Sequence, residues 1–311
     1  MIEYKRLLGR EVTVMKKYYV MLITSMVVWG IDPVVTTYLY NYYSASVLAS
    51  VCTFFSMILF FVLSAKNLKN INGKFLKVAI PMATMSVLAN MLQRIGLQYT
   101  TPACYAFLER LSCAVVPVVF FLMTRKKPTA NQILASVLCL VGCFILSGVK
   151  LNDLASIGIG NILCGLAGIL AGIYVVFLSV YGRDLNLMLY MVVYMTVYFL
   201  ESALMAVVLN FVKIGGVPME SVVFSMNPLI LSLSAIFGLI SVGICWLLRT
   251  ESGTHLNPVK VSLLLPLSTI ISGVVSVICG YDKLTVSYVV GAVLIILSIV
   301  IMEMRRPQKL K

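Results

Sequence analysis

The sequence predicts an all-α integral membrane protein in which ten transmembrane helices form two inverted repeats of five helices. Three observations lead to this prediction: an extreme composition, ten evenly spaced apolar stretches and an internal repeat. Apolar residues make up 61% of the 311-residue chain and charged residues only 11%. Soluble domains are about half apolar and about a quarter charged, so the composition excludes an ordinary soluble domain.

Ten apolar stretches recur along the chain, each about 18 to 25 residues long and able to cross a hydrocarbon core of about 30 Å as a helix. Helices are expected because lipid offers no hydrogen-bond partners to an unpaired backbone. The predicted spans, numbered 1 to 10, cover residues 18–39, 43–64, 76–98, 101–123, 131–149, 158–181, 187–211, 228–249, 257–279 and 286–304. The ends are expected to be a cytoplasmic N-terminal segment, 1–17, and a basic cytoplasmic tail, 305–311.

An internal repeat relates the two halves of the chain. Leu97–Ile145 aligns with Gly253–Ile301 without a gap, at a constant offset of 156 positions. The repeats are predicted as residues 18–149, which hold spans 1 to 5, and residues 158–304, which hold spans 6 to 10. Five is an odd number, so the second copy enters the membrane in the opposite orientation. Inverted repeats are typical of carriers that open alternately to each side.

The basic residues agree with this inversion. The turn Arg125-Lys126-Lys127 is equivalent to Tyr281-Asp282-Lys283, so the basic turn is expected in the cytoplasm and its acid-containing counterpart outside. The net charge of +13 comes mainly from residues next to span ends, which disfavours a nucleic-acid partner. The basic residues expected in the cytoplasm are Lys5, Arg6, Arg10, Lys16, Lys17, Lys66, Lys69, Lys74, Lys77, Arg125, Lys126, Lys127, Arg183, Arg249, Arg305, Arg306, Lys309 and Lys311. Only Lys150, Lys213 and Lys283 are expected outside, so both termini are predicted to be cytoplasmic.

No pattern indicates catalysis. The sequence has no phosphate-binding Gly-Lys-Ser loop, no metal-ligand spacing and no nucleophile beside its one histidine. Its eight cysteines lie in or next to apolar spans and are expected to be small core residues. We therefore predict that the protein is not an enzyme and needs no cofactor or metal. The expected partners are the lipid bilayer and a small-molecule substrate, and the chain is expected to be a monomer or homodimer in a bacterial plasma membrane.

Several short motifs point to a known family. Trp29-Gly30 lies in span 1, Lys127-Pro128-Thr129 closes span 4 ahead of Gly142, and Lys283-Leu284-Thr285 with Gly291 repeats this ending in the second half. Together they resemble the drug/metabolite transporter (DMT) superfamily, specifically an EamA-type carrier with two EamA repeats. The resemblance implies export or import of small organic solutes, commonly amino acids, amines or related metabolites.

Five ionisable side chains are expected at membrane depth, where each costs several kcal/mol unless it is paired or wetted. They are Asp32, Arg94, Glu109, Arg110 and Glu201. At a rise of about 1.5 Å per residue, Asp32, Glu109 and Glu201 converge on one level slightly outside the midplane. These three carboxylates are the candidates for proton coupling.

Helical spacing supplies neighbours for these charges, because residues three, four and seven apart share a face. An organic cation beside a carboxylate and aromatic rings gains roughly 0.5–2 kcal/mol per ring. The predicted substrate-binding residues are Trp29, Asp32, Arg94, Tyr105, Glu109, Tyr194, Tyr198 and Glu201. Two structural alternatives remain open: the tyrosines pack against another helix, or Glu109 forms a buried pair with Arg94 or Arg110.

The predicted function is secondary active transport of a small polar organic metabolite by alternating access, with proton coupling and with export favoured over uptake. An amino acid is favoured over an amine because Arg94 or Arg110 could meet a carboxylate. Two alternatives are a membrane scaffold or sensor that transports nothing, and a flippase for a lipid-linked metabolite.

Overall fold

A computed structural model describes residues 2–97, 99–150, 152, 158–214, 217–218, 220–280 and 283–304. Within these residues, ten helical stretches are long and apolar enough to cross a membrane, and they keep the numbers given above. They are Met15–Leu39, Ala45–Asn70, Gly73–Leu97, Cys104–Thr124, Ala130–Ser147, Ile159–Asp184, Leu187–Phe211, Pro228–His255, Pro258–Ile278 and Val286–Glu303. The predicted all-α membrane fold with ten spans is confirmed. The basic tail 305–311 and the pair Tyr281-Asp282 lie outside the described residues.

Seven spans are formed by one helix each, and two of these are extended by a short 3-10 turn. The regular helices are Ile2–Leu39, Ala45–Ser64, Gly73–Leu97, Ala130–Ser147, Ile159–Tyr181, Leu187–Phe211 and Val286–Glu303, with 3-10 turns at Ala65–Asn70 and Gly182–Asp184. Three spans are interrupted. Their segments are Pro102–Glu109 and Ser112–Thr124 in span 4, Pro228–Phe237, a π-helix at Gly238–Ile244 and Cys245–His255 in span 8, and Pro258–Leu264 and Leu267–Ile278 in span 9. A two-residue antiparallel pair, Lys213–Ile214 with Val217–Pro218, follows span 7.

The eighth helix extends further than predicted. It was expected to end near residue 249 but continues to His255, and the side chains of Thr250 and Ser252 are fully buried. Arg249, which the charge pattern assigned to a cytoplasmic segment, lies within this helix and is only 6% exposed. The predicted end at residue 249 missed this extension because hydropathy does not distinguish a polar side chain facing the protein interior from one facing water. Arg249 is therefore not evidence for the topology.

The repeated Lys-x-Thr motif is a helix N-cap. Thr129 Oγ1 accepts a hydrogen bond from Gln132 N at 3.3 Å, and Gln132 Oε1 accepts from Thr129 N at 2.8 Å. At the equivalent position of the second repeat, Thr285 Oγ1 accepts from Tyr288 N at 3.2 Å. A threonine in this position satisfies an amide that the first helical turn leaves unpaired. The motif therefore marks where spans 5 and 10 begin.

The chain forms two compact units that cut across the predicted repeats. Unit 1 contains Met1–Val87 and Tyr181–Thr254, hence spans 1, 2, 7 and 8 and most of span 3. Unit 2 contains Leu88–Val180 and His255–Lys311, hence the end of span 3 with spans 4, 5, 6, 9 and 10. The division into repeats at 18–149 and 158–304 stays a prediction from the sequence.

In unit 1, span 2 packs against span 7 and against the π-helical segment of span 8. Gly238 permits this second contact, because a Cβ atom there would lie 2.6 Å from the carbonyl oxygen of Cys52. Around this crossing a cluster of buried side chains forms part of the core: Leu39, Tyr43, Val47, Leu48, Cys52 and Ile230. Span 2 is thus held on two sides by second-repeat helices.

In unit 2, span 5 packs closely against span 10, and span 4 packs against span 9. A Cβ atom on Gly142 would lie 3.0 Å from the carbonyl oxygen of Gly291, so the two helices meet nearly backbone to backbone. Small residues at such contacts allow close approach between membrane helices. Spans 2 and 7, 4 and 9, and 5 and 10 occupy equivalent places in the two predicted repeats, so each unit brings repeat-related helices together.

Candidate functional site

The eight predicted site residues fall into two groups. Five lie in unit 1: Trp29, Asp32, Tyr194, Tyr198 and Glu201. Three lie in unit 2: Arg94, Tyr105 and Glu109. The unit 1 group is carried by spans 1 and 7, and the unit 2 group by the end of span 3 and by span 4.

Asp32 is bonded by hydroxyl groups of two helices. Its Oδ1 accepts a hydrogen bond from Thr36 Oγ1 at 2.9 Å, the neighbour expected four residues along the same helix. Its Oδ2 accepts from Ser241 Oγ of span 8 at 2.8 Å. Trp29 joins the same contact, because its Nε1 donates to the Ser241 carbonyl oxygen at 3.0 Å. Helical spacing places Thr36 on the same face as Asp32, but no local signal in the sequence pointed to Ser241.

Tyr190, Tyr194 and Tyr198 lie along one face of span 7 and form part of an aromatic cluster. The ring of Tyr194 stacks on Trp246, with centroids 5.1 Å apart and planes 23° apart. Trp29 adds its indole at 5.2 Å from Trp246, while Tyr190 and Tyr198 lie 6.0 Å from Tyr194 on either side. Both Tyr190 and Tyr194 are fully buried. These tyrosines therefore pack within unit 1, where Tyr194 contacts another helix through Trp246.

Two polar groups complete this cluster, and the sequence analysis missed both. The guanidinium carbon of Arg249 lies 5.0 Å from the centroid of Trp246, within the range of a cation–π contact. The indole N–H of Trp246 is buried and finds no acceptor among the described residues. Buried tryptophans usually donate this hydrogen bond, so the nitrogen is available to a ligand. The only signal for Trp246 was its rarity, since the chain has just two tryptophans.

Glu201 lies on span 7 three residues beyond Tyr198, so it continues the helix face that carries the tyrosines. Its side chain is half-buried. Span 7 therefore carries a carboxylate on the same helix face as the tyrosines.

In unit 2, Glu109 and Arg110 form an ion pair with 3.2 Å between Oε2 and Nη2. Arg110 Nη2 also donates to Thr269 Oγ1 of span 9 at 2.9 Å. The sequence analysis left open a pair of Glu109 with Arg94 or Arg110. The helix ends at Glu109, and the pair formed is the one with Arg110. Tyr105 lies near enough to Arg94, Glu109 and Arg110 to interact with all three electrostatically.

The ion pair stands at one of two equivalent helix breaks. In span 4, Cys113 N donates to Arg110 O at 2.9 Å, a bond over three residues instead of four. In span 9, Thr269 N donates to Pro266 O at 3.0 Å in the same way. Each residue of the second bond lies 156 positions after its counterpart in the first. The two helices are thus broken at the same place in the repeat.

Pro266 explains the break in span 9 and a hydrogen bond between spans 4 and 9. Pro266 has no N–H, so the carbonyl oxygen of Ser262 lacks its helical donor. The Cys113 thiol supplies a replacement by donating to Ser262 O at 3.2 Å. Broken helices of this kind offer backbone groups to substrates and ions in transporters.

Part of the chain matches a known protein family. Residues 16–148 match the model of the EamA-like transporter family. These residues belong to that family. The match spans the first predicted repeat and confirms the resemblance that Trp29-Gly30 and Lys127-Pro128-Thr129 indicated.

The fold of this chain is also found in a solved structure. A crystal structure described only as that of a protein aligns with a TM-score of 0.72, covering 92% of this chain and 97% of its own, at 11% sequence identity. An identity this low shows a shared fold alone. No curated protein sequence matches this chain.

The ten apolar helices and the match to residues 16–148 support a multi-pass membrane protein, and members of the matched family are transporters. Within the described residues of this EamA-like protein, no group of three or more His, Cys, Asp or Glu side chains could hold a metal ion. Seven of its cysteines are buried, as expected of core residues, but Cys279 is exposed at the end of span 9.

Proposed function

We propose that this EamA-like transporter is a secondary carrier for small polar organic metabolites of the amino-acid or amine type, working by alternating access. The observation that carries the proposal is the pair of equivalent breaks in spans 4 and 9, one of which bears Glu109 and Arg110. In carriers built from inverted repeats, broken helices at corresponding positions of the two halves point to substrate and ion sites.

The chemistry of both groups suits a zwitterion. Glu109 and Arg110 present both signs of charge at one helix break, as an ammonium and a carboxylate would require. In unit 1, Asp32 offers a carboxylate and the unpaired indole N–H of Trp246 offers a donor. Amino acids therefore fit better than simple amines.

Asp32, Glu109 and Glu201 are proposed to couple transport to protons, because carboxylates at membrane depth commonly serve as proton carriers. We propose net export across the plasma membrane of a bacterium, by a monomer or homodimer with both termini in the cytoplasm. The charge bias that supports this orientation persists after Arg249 is set aside.

The test is transport of radiolabelled amino acids and amines by purified protein in sealed proteoliposomes, with and without an imposed proton gradient. We expect at least one solute to move faster than in empty liposomes and the proton gradient to drive its accumulation. Glu109→Gln and Asp32→Asn should each lower the rate about tenfold or more, because each removes charge-assisted bonds worth roughly 1.5–3 kcal/mol.

A matched control is Glu303→Gln, which removes a glutamate from the exposed ion pair with Lys260 at the end of span 10. This variant should transport at the wild-type rate. Absence of movement for every solute under every gradient, in protein that is folded by circular dichroism, would rule the proposal out.

A second candidate, translocation of a lipid-linked metabolite, has one specific observation in its favour. Unit 1 contains an almost wholly apolar cavity of about 430 Å³ within its membrane spans. Its lining comes from spans 2, 7 and 8 and the loop before span 8: Val47, Ser50, Val51, Phe54, Phe55, Phe199, Ala203, Ala206, Phe224 and Leu231. Movement of a fluorescent phospholipid between leaflets of the same proteoliposomes, with no amino acid or amine transport, would favour this candidate.

A further inference from the structure

The π-helical segment of span 8, Gly238–Ile244, differs from the regular helices around it. Its wider turn is shown by Cys245 N, which donates to Ile240 O five residues back instead of four. Such segments are rare, form short insertions in α-helices and occur frequently at functional sites. The segment Gly238–Ile244 is contacted by side chains of spans 1 and 2.

Side chains from two other helices hold the carbonyl groups of the segment. Ser56 Oγ of span 2 donates to Gly238 O at 2.8 Å. Trp29 Nε1 of span 1 donates to Ser241 O at 3.0 Å. The π-helical turn is therefore bonded at its start and in its middle by groups outside span 8.

Ser241 connects this segment to the candidate binding residue Asp32. Its side chain is only 1% exposed, and its hydroxyl donates to Asp32 Oδ2 at 2.8 Å. Its carbonyl oxygen accepts the Trp29 bond at the same time. One residue thus joins span 8 both to the carboxylate and to the family's Trp-Gly motif.

We propose that Ser241 is a positioning residue through which the state of the Asp32 carboxylate controls the π-helical segment. A ligand ammonium that bonds Asp32 Oδ2 competes with the Ser241 hydroxyl for that oxygen. Once displaced, Ser241 loses one of the bonds that keep Gly238–Ile244 in its wide turn, and the segment loosens. This inference rests on the proposed carrier function, to which it adds a link between binding and helix movement.

Hydrogen–deuterium exchange of the purified full-length protein tests the link without any transport. Ser241→Ala and Asp32→Ala should each speed exchange of the amides between Gly238 and Cys245 about tenfold, because each removes a hydrogen bond to a charged group. Thr36→Val is the matched control: it removes the other bond to Asp32 but leaves the link to span 8 intact, so exchange in this segment should not change. Ser241→Cys, which keeps a weak donor, should fall between wild type and Ser241→Ala.

Transport kinetics supply a readout that a merely structural role would not move. Ser241→Ala removes the competitor for Asp32 and loosens the link, so both KM and the maximal rate should fall. Unchanged exchange between Gly238 and Cys245 in Ser241→Ala and Asp32→Ala would overturn the inference and leave the carrier function standing. Altered exchange in a protein that moves no solute would instead uphold the link and defeat the carrier proposal.

Discussion

At the scale of single residues, the pair of Glu109 and Arg110 is expected to stabilise the fold as well as to bind substrate. Arg110 is 13% exposed and bonds both Glu109 and Thr269. Removing one partner of such a pair leaves a charge at membrane depth without its counterion. We expect Glu109→Gln to lower the free energy of unfolding by about 2 kcal/mol. Breaking a fully buried pair costs about 3–5 kcal/mol, and this pair is only partly buried.

The measurement is thermal unfolding in detergent, followed by circular dichroism. Glu303→Gln again serves as the control, since the pair of Lys260 and Glu303 is more exposed and such pairs contribute about 0–1 kcal/mol. Equal losses of melting temperature in the two variants would show that the pair of Glu109 and Arg110 adds no more stability than the exposed pair. A double variant, Glu109→Gln with Arg110→Gln, should recover part of the loss because no lone charge remains.

The same scale shows why some site residues could be predicted from the sequence and others could not. Asp32 stood out as a charge in an apolar stretch, and its bond from Thr36 follows from helical spacing. Ser241 lies more than 200 positions from Asp32, and a serine in an apolar span carries no distinguishing mark. The position of Arg249 was misleading, because a charged residue near the end of a predicted span resembles an interfacial residue.

At the scale of helices, the glycines of span 6 are expected to differ in how much side chain they tolerate. A Cβ atom on Gly168 would collide with the carbonyl oxygen of Leu108 in span 4. One on Gly165, a turn away, would meet only Leu111 Cδ1 at 4.0 Å. Gly168→Ala should therefore destabilise the protein by about 1–3 kcal/mol.

Gly165→Ala is the control on the same helix and should stay within about 0.5 kcal/mol of wild type. Thermal unfolding of both variants in one detergent provides the comparison. If Gly165→Ala lost as much stability as Gly168→Ala, helix flexibility and not close packing would be the role of these glycines.

The breaks in spans 4 and 9 show the limit of local prediction for whole elements. Pro266 marks the break in span 9 directly, but the equivalent position in span 4 is Arg110, and Pro117 lies well inside the following helix. Span 4 breaks without a proline in the break itself. Gly168 lies against the carbonyl oxygens of Leu108 and Glu109 at this point, so contacts from other helices accompany a bend that the local sequence does not encode.

At the scale of the whole molecule, the ten spans were predictable because the bilayer imposes both their length and their composition. The grouping into two compact units was not, because it joins helices from both repeats. Spans 2 and 7 meet in unit 1, while spans 5 and 10 meet in unit 2. Sequence similarity reveals which helices are equivalent, but only packing reveals that equivalent helices lie together.

The predicted inversion of the repeats gives the last prediction, which concerns the two equivalent turns before spans 5 and 10. Lys127 and Lys283 are both exposed and occupy the same place in the repeat. Because basic residues accumulate on the cytoplasmic side, the turn with Arg125 and Lys126 should be inside and its counterpart outside. Cys279, exposed near the second turn, is first replaced by serine so that the remaining native cysteines are buried.

In intact cells, a membrane-impermeant maleimide should label Lys283→Cys at once and Lys127→Cys only after the membrane is permeabilised. The parent protein without either new cysteine controls for background labelling. Labelling of both positions from the same side would contradict the inversion, because equivalent turns of inverted repeats must face opposite compartments. Opposite labelling would establish the two orientations that exchange of conformation between the repeats requires for alternating access.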